Sequence, residues 1–507
     1  MASKDNTHTY IYLNLLLPLF SGAILIFAFP PFEQGYLSWF VLAPLIFSIL
    51  LSRPGQAFLA GIIFAIPINL YLNLYLSHVL FPYLPFTLAL AAMFLLVLYI
   101  SLFSGLFAYL SNMMTKHVRP LFAVYAIPAI WVIVEYLRSI GFLAYNVGYL
   151  GYSQWNYPYM LNLASTYGYW GLPFTIVSFQ TIIIFLALGK LEKKDFVLAL
   201  AVLLLFIGCG FLIPSIQAID DELPSIRTAL IQGNSSPDEI ISLGKERIRE
   251  HYLEMTREAL EEDPGVKLVV WPETVVDLDF RRNKTHQPEM LQVAEELGIA
   301  ILYGARVVEG DNLYNSILLL RDNQLEIPVY NKQRLVPFVE YFPFEEILNN
   351  ILNLQLLLGR YTAGEEIVIF EINDSPLAGV ICFESYFGDH SRLFSFSGGR
   401  HLFVLTNDAW FGRSIGLELH AQAAAIRAAE MGIGVTQVAN SGITISYDHK
   451  GNELFRSGKD QAGVFITDIE FTRRPTVYSR YGDYFPLILF FYLLTGLLYN
   501  LHQKLKK

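Results

Sequence analysis

Residues 10–29 are apolar over about the thickness of a bilayer, and Pro30-Pro31 closes the run. A stretch of that length can be buried in lipid or in a large core, and here it recurs. Further apolar stretches cover residues 37–51, 57–76, 86–110, 121–137, 169–188, 196–213 and 484–501, about eight candidate spans in all. Composition agrees: 54% of the chain is hydrophobic and only 16% charged, too apolar for an ordinary soluble protein. The first stretch has no strongly basic segment before it and no small-x-small cleavage site, so it reads as an uncleaved span.

The short loops carry their cations on one side. Arg53, the pair Lys116 and Arg119, then Lys190, Lys193 and Lys194, and finally Lys504, Lys506 and Lys507 share a side if the spans alternate from an inside amino terminus. Loops 31–35 and 77–85 have no Lys or Arg, and the aromatic loop 141–167 has no charge at all. Both termini are therefore expected in the cytoplasm and the long segment 217–480 outside it. The expected division is a membrane domain of seven spans at 1–216, a catalytic domain at 217–480, and a last span with a cytoplasmic tail at 481–507.

The segment 217–480 holds most of the charge of the chain and alternates strand-like runs with amphipathic helices. Strands are expected at 226–232, 266–270, 299–303, 316–321, 377–382, 402–406, 435–438 and 443–447, and helices at 237–261, 287–297, 385–395 and 417–431, which makes one α/β domain. A net charge of −10 leaves no basic face for phosphate backbones, so nucleic acid is not an expected partner. Two distant cysteines, Cys209 in an apolar run and Cys382 in the polar half, do not suggest a disulfide.

Four polar motifs follow apolar runs in this domain, at the sheet edges where α/β folds gather their chemistry. They are Trp271-Pro272-Glu273-Thr274; the run from Asn331 through Lys332 and Arg334 to Glu340 and Tyr341; Cys382-Phe383-Glu384-Ser385; and Thr406-Asn407-Asp408-Ala409-Trp410-Phe411-Gly412. A thiolate, a base and a cation suffice for acyl transfer if they converge. A free thiol with a pKa of about 8.5 needs help to ionise at neutral pH. Glu273 is a candidate for taking that proton; Lys332 and the N–H of Phe383 are candidate donors to an oxyanion. Spacing alone does not bring them together, and each has a plain alternative: Glu273 a strand-end acid, Lys332 a solvated cation, Cys382 a small core residue. A Cys-His dyad with His390 or His420 stays open. The ten histidines show no metal-ligand spacing, and no G-x-S-x-G, Walker or dinucleotide motif is present, so neither metal nor cofactor is expected.

Taken together the motifs resemble the carbon–nitrogen hydrolase (nitrilase) superfamily, and the spans make the apolipoprotein N-acyltransferase family the closer match. Residues 28–32, Glu135-Tyr136-Leu137-Arg138, Gly151-Tyr152-Ser153-Gln154, the four motifs above, Arg427-Ala428-Ala429-Glu430 and Ala439-Asn440-Ser441-Gly442 carry the likeness over nearly the whole chain. The resemblance implies an αββα sandwich on a multi-pass membrane domain in the bacterial inner membrane, with the catalytic domain on the periplasmic side. It implies Glu273 as general base, Lys332 as oxyanion-stabilising lysine and Cys382 as nucleophile, with Glu340, Phe383 and Glu384 in support. Asn407, Trp410 and Phe411 match a substrate-side loop, and Arg427 and Glu430 a buried structural pair. The implied reaction passes an acyl chain from a phospholipid, typically phosphatidylethanolamine, through a thioester to the N-terminal amine of a diacylglyceryl-modified apolipoprotein, in a monomer at the bilayer.

Several positions depart from that pattern. Arg334 stands where a His is usual, Val339 where a Gly is usual, and Ile433-Gly434 where Arg-Pro is usual, which bears on the acceptor or marks a divergent paralogue. A membrane-tethered amidase using the same thioester is the alternative enzyme. A transporter with an accessory domain is the non-enzyme reading, and the scarcity of ionisable groups in the spans speaks against it. The loop 141–167 and the apolar segment 347–358 are expected either to line a lipid groove or to anchor at the interface. Glu135 and Arg138 are expected to pair at the outer end of the fifth span.

Overall fold

The computed structural model describes residues 4–220, 223–236, 239, 242, 244–274, 287–321, 328–341, 361–459 and 461–505; the expected groove segment 347–358 lies outside the described residues. The chain forms two compact units, Met1–Ile216 with Tyr481–Lys507, and Gln217–Arg480.

The first unit is helical throughout. Among the described residues four helices are long and apolar enough to cross a membrane: Pro54–Asn73, Phe86–Thr115, Pro120–Arg138 and Lys193–Ile216. Pro158–Tyr167 and Gly171–Ala187, bent at 110°, make a fifth if the pair is one span, and Leu15–Ala28, Gly35–Leu51 and Tyr484–Tyr499 are shorter apolar helices. Lipid provides no hydrophobic drive between helices, so contact depends on small residues and polar bonds. A Cβ on Gly61 would stand 2.3 Å from the carbonyl oxygen of Ser104, which is how closely the helix Pro54–Asn73 meets Phe86–Thr115. Across the same seam Asn69 Nδ2 donates to Ser101 Oγ at 3.1 Å.

The aromatic stretch 141–167 is largely packed into the helical unit. It folds into the 3-10 turn Leu150–Gln154 and the helix Pro158–Tyr167, and it buries Tyr149, Tyr152 and Trp155. Packing of the rings on one another explains this; Tyr149 and Tyr152 both stack at a tilt on Tyr169.

The second unit holds two six-stranded sheets. One has the order β12-β1-β2-β3-β4-β5, made of Gly463–Ile469 (β12), Ile226–Gln232 (β1), Leu268–Val270 (β2), Ala300–Glu309 (β3), Asn312–Leu320 (β4) and Val329–Asn331 (β5). The other runs β11-β10-β9-β8-β7-β6, made of Glu453–Arg456, Ile445–Tyr447, Gly434–Ala439, His401–Thr406, Ser375–Ile381 and Ile369–Ile372. β1, β2 and β3 are parallel, as are β7, β8 and β9, and the outer strands return antiparallel. The central strands are buried on both faces, and all six residues of β8 and of β9 are buried. The sheets pack face to face: a Cβ on Gly379 of β7 would stand 2.6 Å from Ile317 Cδ1 of β4. Helix Lys245–Glu262 lies against the first sheet and helix Gly416–Met431 against the second, giving αββα layers.

The helix Gly416–Met431 is buried along its whole length, and its run of alanines allows that. Within it Arg427 Nε meets Glu430 Oε2 at 2.7 Å, and Arg427 Nη1 donates to the carbonyl of Tyr386 at 3.0 Å. Arg427 and Glu430 are therefore a buried structural pair.

Candidate active site

Four strand ends supply the polar residues of the site, joined by Glu340 from a loop. Glu273 follows β2 after Pro272, Lys332 follows β5, Cys382 follows β7, and Asn407 follows β8. Glu273, Lys332, Glu340 and Asn407 are all less than a tenth exposed. Because β2 and β5 belong to one sheet and β7 and β8 to the other, face-to-face packing brings these ends to one place.

The carboxylate of Glu273 is held at both oxygens. Oε1 accepts from Asn315 Nδ2 at 2.8 Å, and Oε2 accepts from the backbone N–H of Asn407 at 3.0 Å. Lys332 Nζ lies 3.8 Å from Glu273 Oε1 and donates to Glu340 Oε1 at 2.8 Å. Glu340 is fixed in turn by the N–H of Val336 at 2.8 Å and by Asn315 Nδ2 at 3.2 Å. Asn315, on β4, thus spans both acids. Nothing in the sequence singled it out except that it is an amide at the head of the apolar run 316–320.

Two acids share one lysine, and the charges follow from that. Burial raises the pKa of Glu273; Lys332 opposes this and Glu340 adds to it, so Glu273 holds a proton more tightly than an ordinary carboxylate. Burial works against the charge on Lys332, but Glu340 and then Glu273 outweigh it, and its pKa is raised. Burial and then Glu273 push the Cys382 thiol well above its usual range, while Lys332 pulls it down. Cys382 therefore holds its proton more tightly than a free thiol, and a base of increased proton affinity acts on it electrostatically.

Cys382 opens the 3-10 turn Cys382–Tyr386 with a φ of +50°, a left-handed conformation that disfavours a side chain. Glu384 holds that turn. Its Oε2 accepts from the N–H of Ile381 at 2.8 Å, and its Oε1 accepts from Tyr330 Oη at 2.8 Å and from the N–H groups of Gln333 and Arg334 at 2.7 and 3.0 Å. One buried carboxylate therefore ties the Cys382 turn to the segment after Lys332. Burial opposes its charge, but His390 and the backbone donors win, and its pKa is lowered.

Glu384→Gln is expected to destabilise the protein by about 1–3 kcal/mol, since the amide nitrogen meets a donor where an oxygen accepted one. A carboxylate with a lowered folded pKa stabilises above its unfolded value and loses that contribution as pH falls through the folded one. The gap in thermal unfolding temperature between wild type and variant should accordingly be largest near neutrality and close in acid.

A second polar group backs the turn. His420, on the helix Gly416–Met431, places Nε2 3.1 Å from the carbonyl oxygen of Cys382 and Nδ1 2.8 Å from Asp408 Oδ1, and both side chains are buried. Burial lowers the pKa of His420, but Asp408 more than offsets it, and the pKa is raised. Asp408, His420 and Cys382 offer ligand atoms within 4.8 Å of one another, and a hydrogen bond joins two of the three, Asp408 and His420. His420 holds the main chain of Cys382 and also lies within that distance of its thiol. Its signal in the sequence is weak because it sits in mid-helix, away from any strand end.

Asn407 anchors Glu273 by its N–H and joins Asn440 by its side chain, Asn440 Nδ2 donating to Asn407 Oδ1 at 3.0 Å. Trp410 is 37% exposed at the rim. Arg334 reaches Asp389 at 2.7 Å and lies over the Phe387 ring, at the half-exposed edge of the unit. At Gly434 a Cβ would stand 2.6 Å from His401 Nδ1, so His401 occupies the room a larger residue would need. The substitutions at Arg334 and Gly434 are absorbed locally. Cys209 and Cys382 are both free.

The apolipoprotein N-acyltransferase N-terminal domain model matches residues 21–182, and the carbon-nitrogen hydrolase model matches residues 227–475. An apolipoprotein N-acyltransferase of Geobacter metallireducens is 28% identical over 494 residues, covering 93% of this chain and 92% of that protein. Apolipoprotein N-acyltransferase 1 of Treponema denticola is 29% identical and covers 74% and 77% of the two chains; the Vibrio parahaemolyticus protein of the same family name is 28% identical over 92% and 94%. Among solved structures, Saccharomyces cerevisiae Nit3, of the nitrilase superfamily, covers 50% of this chain and 93% of its own at 17% identity with a TM-score of 0.39. With one family model on its first unit, another on its second, and relatives aligned from end to end, the chain is similar over both units to the apolipoprotein N-acyltransferase family.

Proposed function

We propose that this chain moves an acyl group from a phospholipid to the N-terminal amine of a diacylglyceryl-cysteine lipoprotein, in two half-reactions through a thioester on Cys382. The observation that carries this reading is Lys332 held between the buried carboxylates of Glu340 and Glu273, with Lys332 and Glu273 both acting electrostatically on the Cys382 thiol. In the first half-reaction Glu273 takes the thiol proton as sulfur adds to the ester carbonyl, and Lys332 with the N–H of Phe383 receives the oxyanion. Collapse expels the glycerol alkoxide of the lysophospholipid, to which Glu273 returns the proton. In the second the free amine attacks the thioester carbonyl, Glu273 accepts its proton, and the thiol leaves reprotonated. Glu340 keeps Lys332 aimed, and the amide bond formed is more stable than the thioester consumed. Asn407, Trp410 and Phe411 form the substrate side of the site.

The membrane reading goes with this. Eight spans, cytoplasmic termini and an extracytoplasmic catalytic unit in the inner membrane are supported by the charge pattern of the loops and by the apolar helices. Both substrates are lipid-anchored, and a membrane-bound enzyme meets them without extracting chains at about 0.8 kcal/mol per CH₂.

The test is a reconstituted reaction with phosphatidylethanolamine and a diacylglyceryl-cysteine peptide. A peptide heavier by one acyl group, with its amine blocked, is expected; release of free fatty acid with the peptide unchanged would make the chain a hydrolase.

A further inference from the structure

The carbonyl of Cys382 and the N–H of Phe383 belong to one peptide group. A trans peptide is planar with its C=O and N–H pointing in opposite directions, so whatever holds one end aims the other. His420 Nε2 lies 3.1 Å from the Cys382 carbonyl oxygen, and a carbonyl only accepts, so the ring nitrogen is the donor of that bond. Ser385 Oγ stands 3.1 Å from the same nitrogen. The Phe383 N–H therefore faces away from His420. It lies at the start of the 3-10 turn Cys382–Tyr386, where the turn itself offers no carbonyl to take it.

The imidazole is fixed on several sides. Nδ1 lies 2.8 Å from Asp408 Oδ1, which also accepts from Thr406 Oγ1 at 2.7 Å. The Tyr386 ring stacks on the imidazole with centroids 5.4 Å apart, and both His420 and Asp408 are buried. The peptide it holds is under strain, since Cys382 has a φ of +50°. A flip of the 382–383 peptide would turn the N–H toward His420 and put the carbonyl, a partial negative charge, where the N–H had been. An oxyanion forming there would meet a repelling dipole in place of a donor.

We propose that His420 is a positioning residue for acyl transfer: by donating to the Cys382 carbonyl it keeps the 382–383 peptide in the orientation that offers the Phe383 N–H to the oxyanion, and Asp408 fixes the ring that does so. A hydrogen bond at the carbonyl also polarises the amide and strengthens its N–H as a donor. The inference rests on the thioester reading above and assigns to that reaction a residue that acts through the main chain.

The experiment compares two reactions of Cys382 in the full chain in detergent, with Cys209→Ala so that one thiol is left. Alkylation by iodoacetamide displaces iodide from a saturated carbon and builds no oxyanion. Acylation by saturating phosphatidylethanolamine adds sulfur to the ester carbonyl, builds the oxyanion, and expels the lysophospholipid with the thiol proton; intact mass follows both reactions. Two variants each keep one polar bond of His420. His420→Gln places an amide N–H near the position of Nε2, whereas His420→Asn places one near Nδ1 and falls short of the Cys382 carbonyl. His420→Asn should acylate about 10–100-fold more slowly than His420→Gln, while the two alkylate at the same rate. Thermal unfolding shows whether each variant folds, and Asp408→Asn, which loosens the ring without removing it, should show the same split in weaker form. Equal acylation by His420→Gln and His420→Asn would overturn the inference. Alkylation that falls in step with acylation would also overturn it, because His420 would then serve the thiol or the fold. If the chain with His420 intact gains no acyl group on Cys382, the thioester reading falls and the inference with it; normal acylation of that chain and of every variant sinks the inference alone.

Discussion

Cys382→Ala should reduce acyl transfer to the uncatalysed background, a loss of about 10⁶ in kcat if this nucleophile matters as much as others that form acyl-enzymes. The proposed route has no second path, because the thioester is both the product of one half-reaction and the reactant of the next. Cys382→Ser should fail almost as completely: the burial and the carboxylate that push the thiol up would act on a hydroxyl that ionises far less readily. The fold should survive. Cys382 is held at a φ of +50°, and Cys382→Gly relieves a strain of about 1–2 kcal/mol against an entropic cost of about 0.5–1 kcal/mol. An inactive glycine variant at least as stable as wild type would separate chemistry from structure. Phospholipid-dependent acylation of a peptide, with thermal unfolding beside it, measures both.

Lys332→Met should be damaging in two ways. Among the described residues it removes the one cation paired with two buried acids, Glu340 at 2.8 Å and Glu273 at 3.8 Å. Breaking a buried pair leaves an uncompensated charge and costs about 3–5 kcal/mol, and losing one oxyanion donor costs about 10²–10³ in kcat. These effects come apart in the double variant Lys332→Met with Glu340→Gln. Removing the stranded charge should restore much of the stability and none of the activity. Recovery of activity in the double variant would mean that Lys332 serves the fold alone.

Much of the α/β unit could be read from the sequence because its central strands are buried on both faces. Leu268–Val270 of β2, residues 377–381 of β7 and residues 402–405 of β8 are continuous apolar runs, and such runs say strand without further help. The strands the sequence did not reveal are at the edges. β6 and β12 carry Glu371 and Asp468 among half-exposed residues, so their pattern is that of a loop until a neighbour pairs with them. Of the helix expected at 237–261 the described residues include Lys245–Glu262, which follows Gly244 at a φ of +81°, and most of residues 237–243 lie outside the described residues.

The site was legible as a set of strand-end residues and not as a place. Glu273, Lys332 and Cys382 are each on separate connections, and only the stacking of two sheets brings their strand ends together. Asn315 escaped notice because it lies inside a strand, and His420, one of two histidines left open as a partner of Cys382, could not be chosen over His390 because its place in mid-helix announces no partner. In the helical unit, hydropathy marks where the chain is apolar but not how it bends. The break at Gly168, with a φ of +69°, turns what reads as an outer loop and a span into two helices at 110°.

The most direct test of the account is the intact mass of the purified full chain after incubation with phosphatidylethanolamine and no acceptor. The account predicts a gain of one acyl group, located on Cys382, labile to hydroxylamine as a thioester is, and discharged when a diacylglyceryl-cysteine peptide is added. A protein that keeps its mass while still acylating the peptide, or that carries the acyl group on another residue, would contradict it.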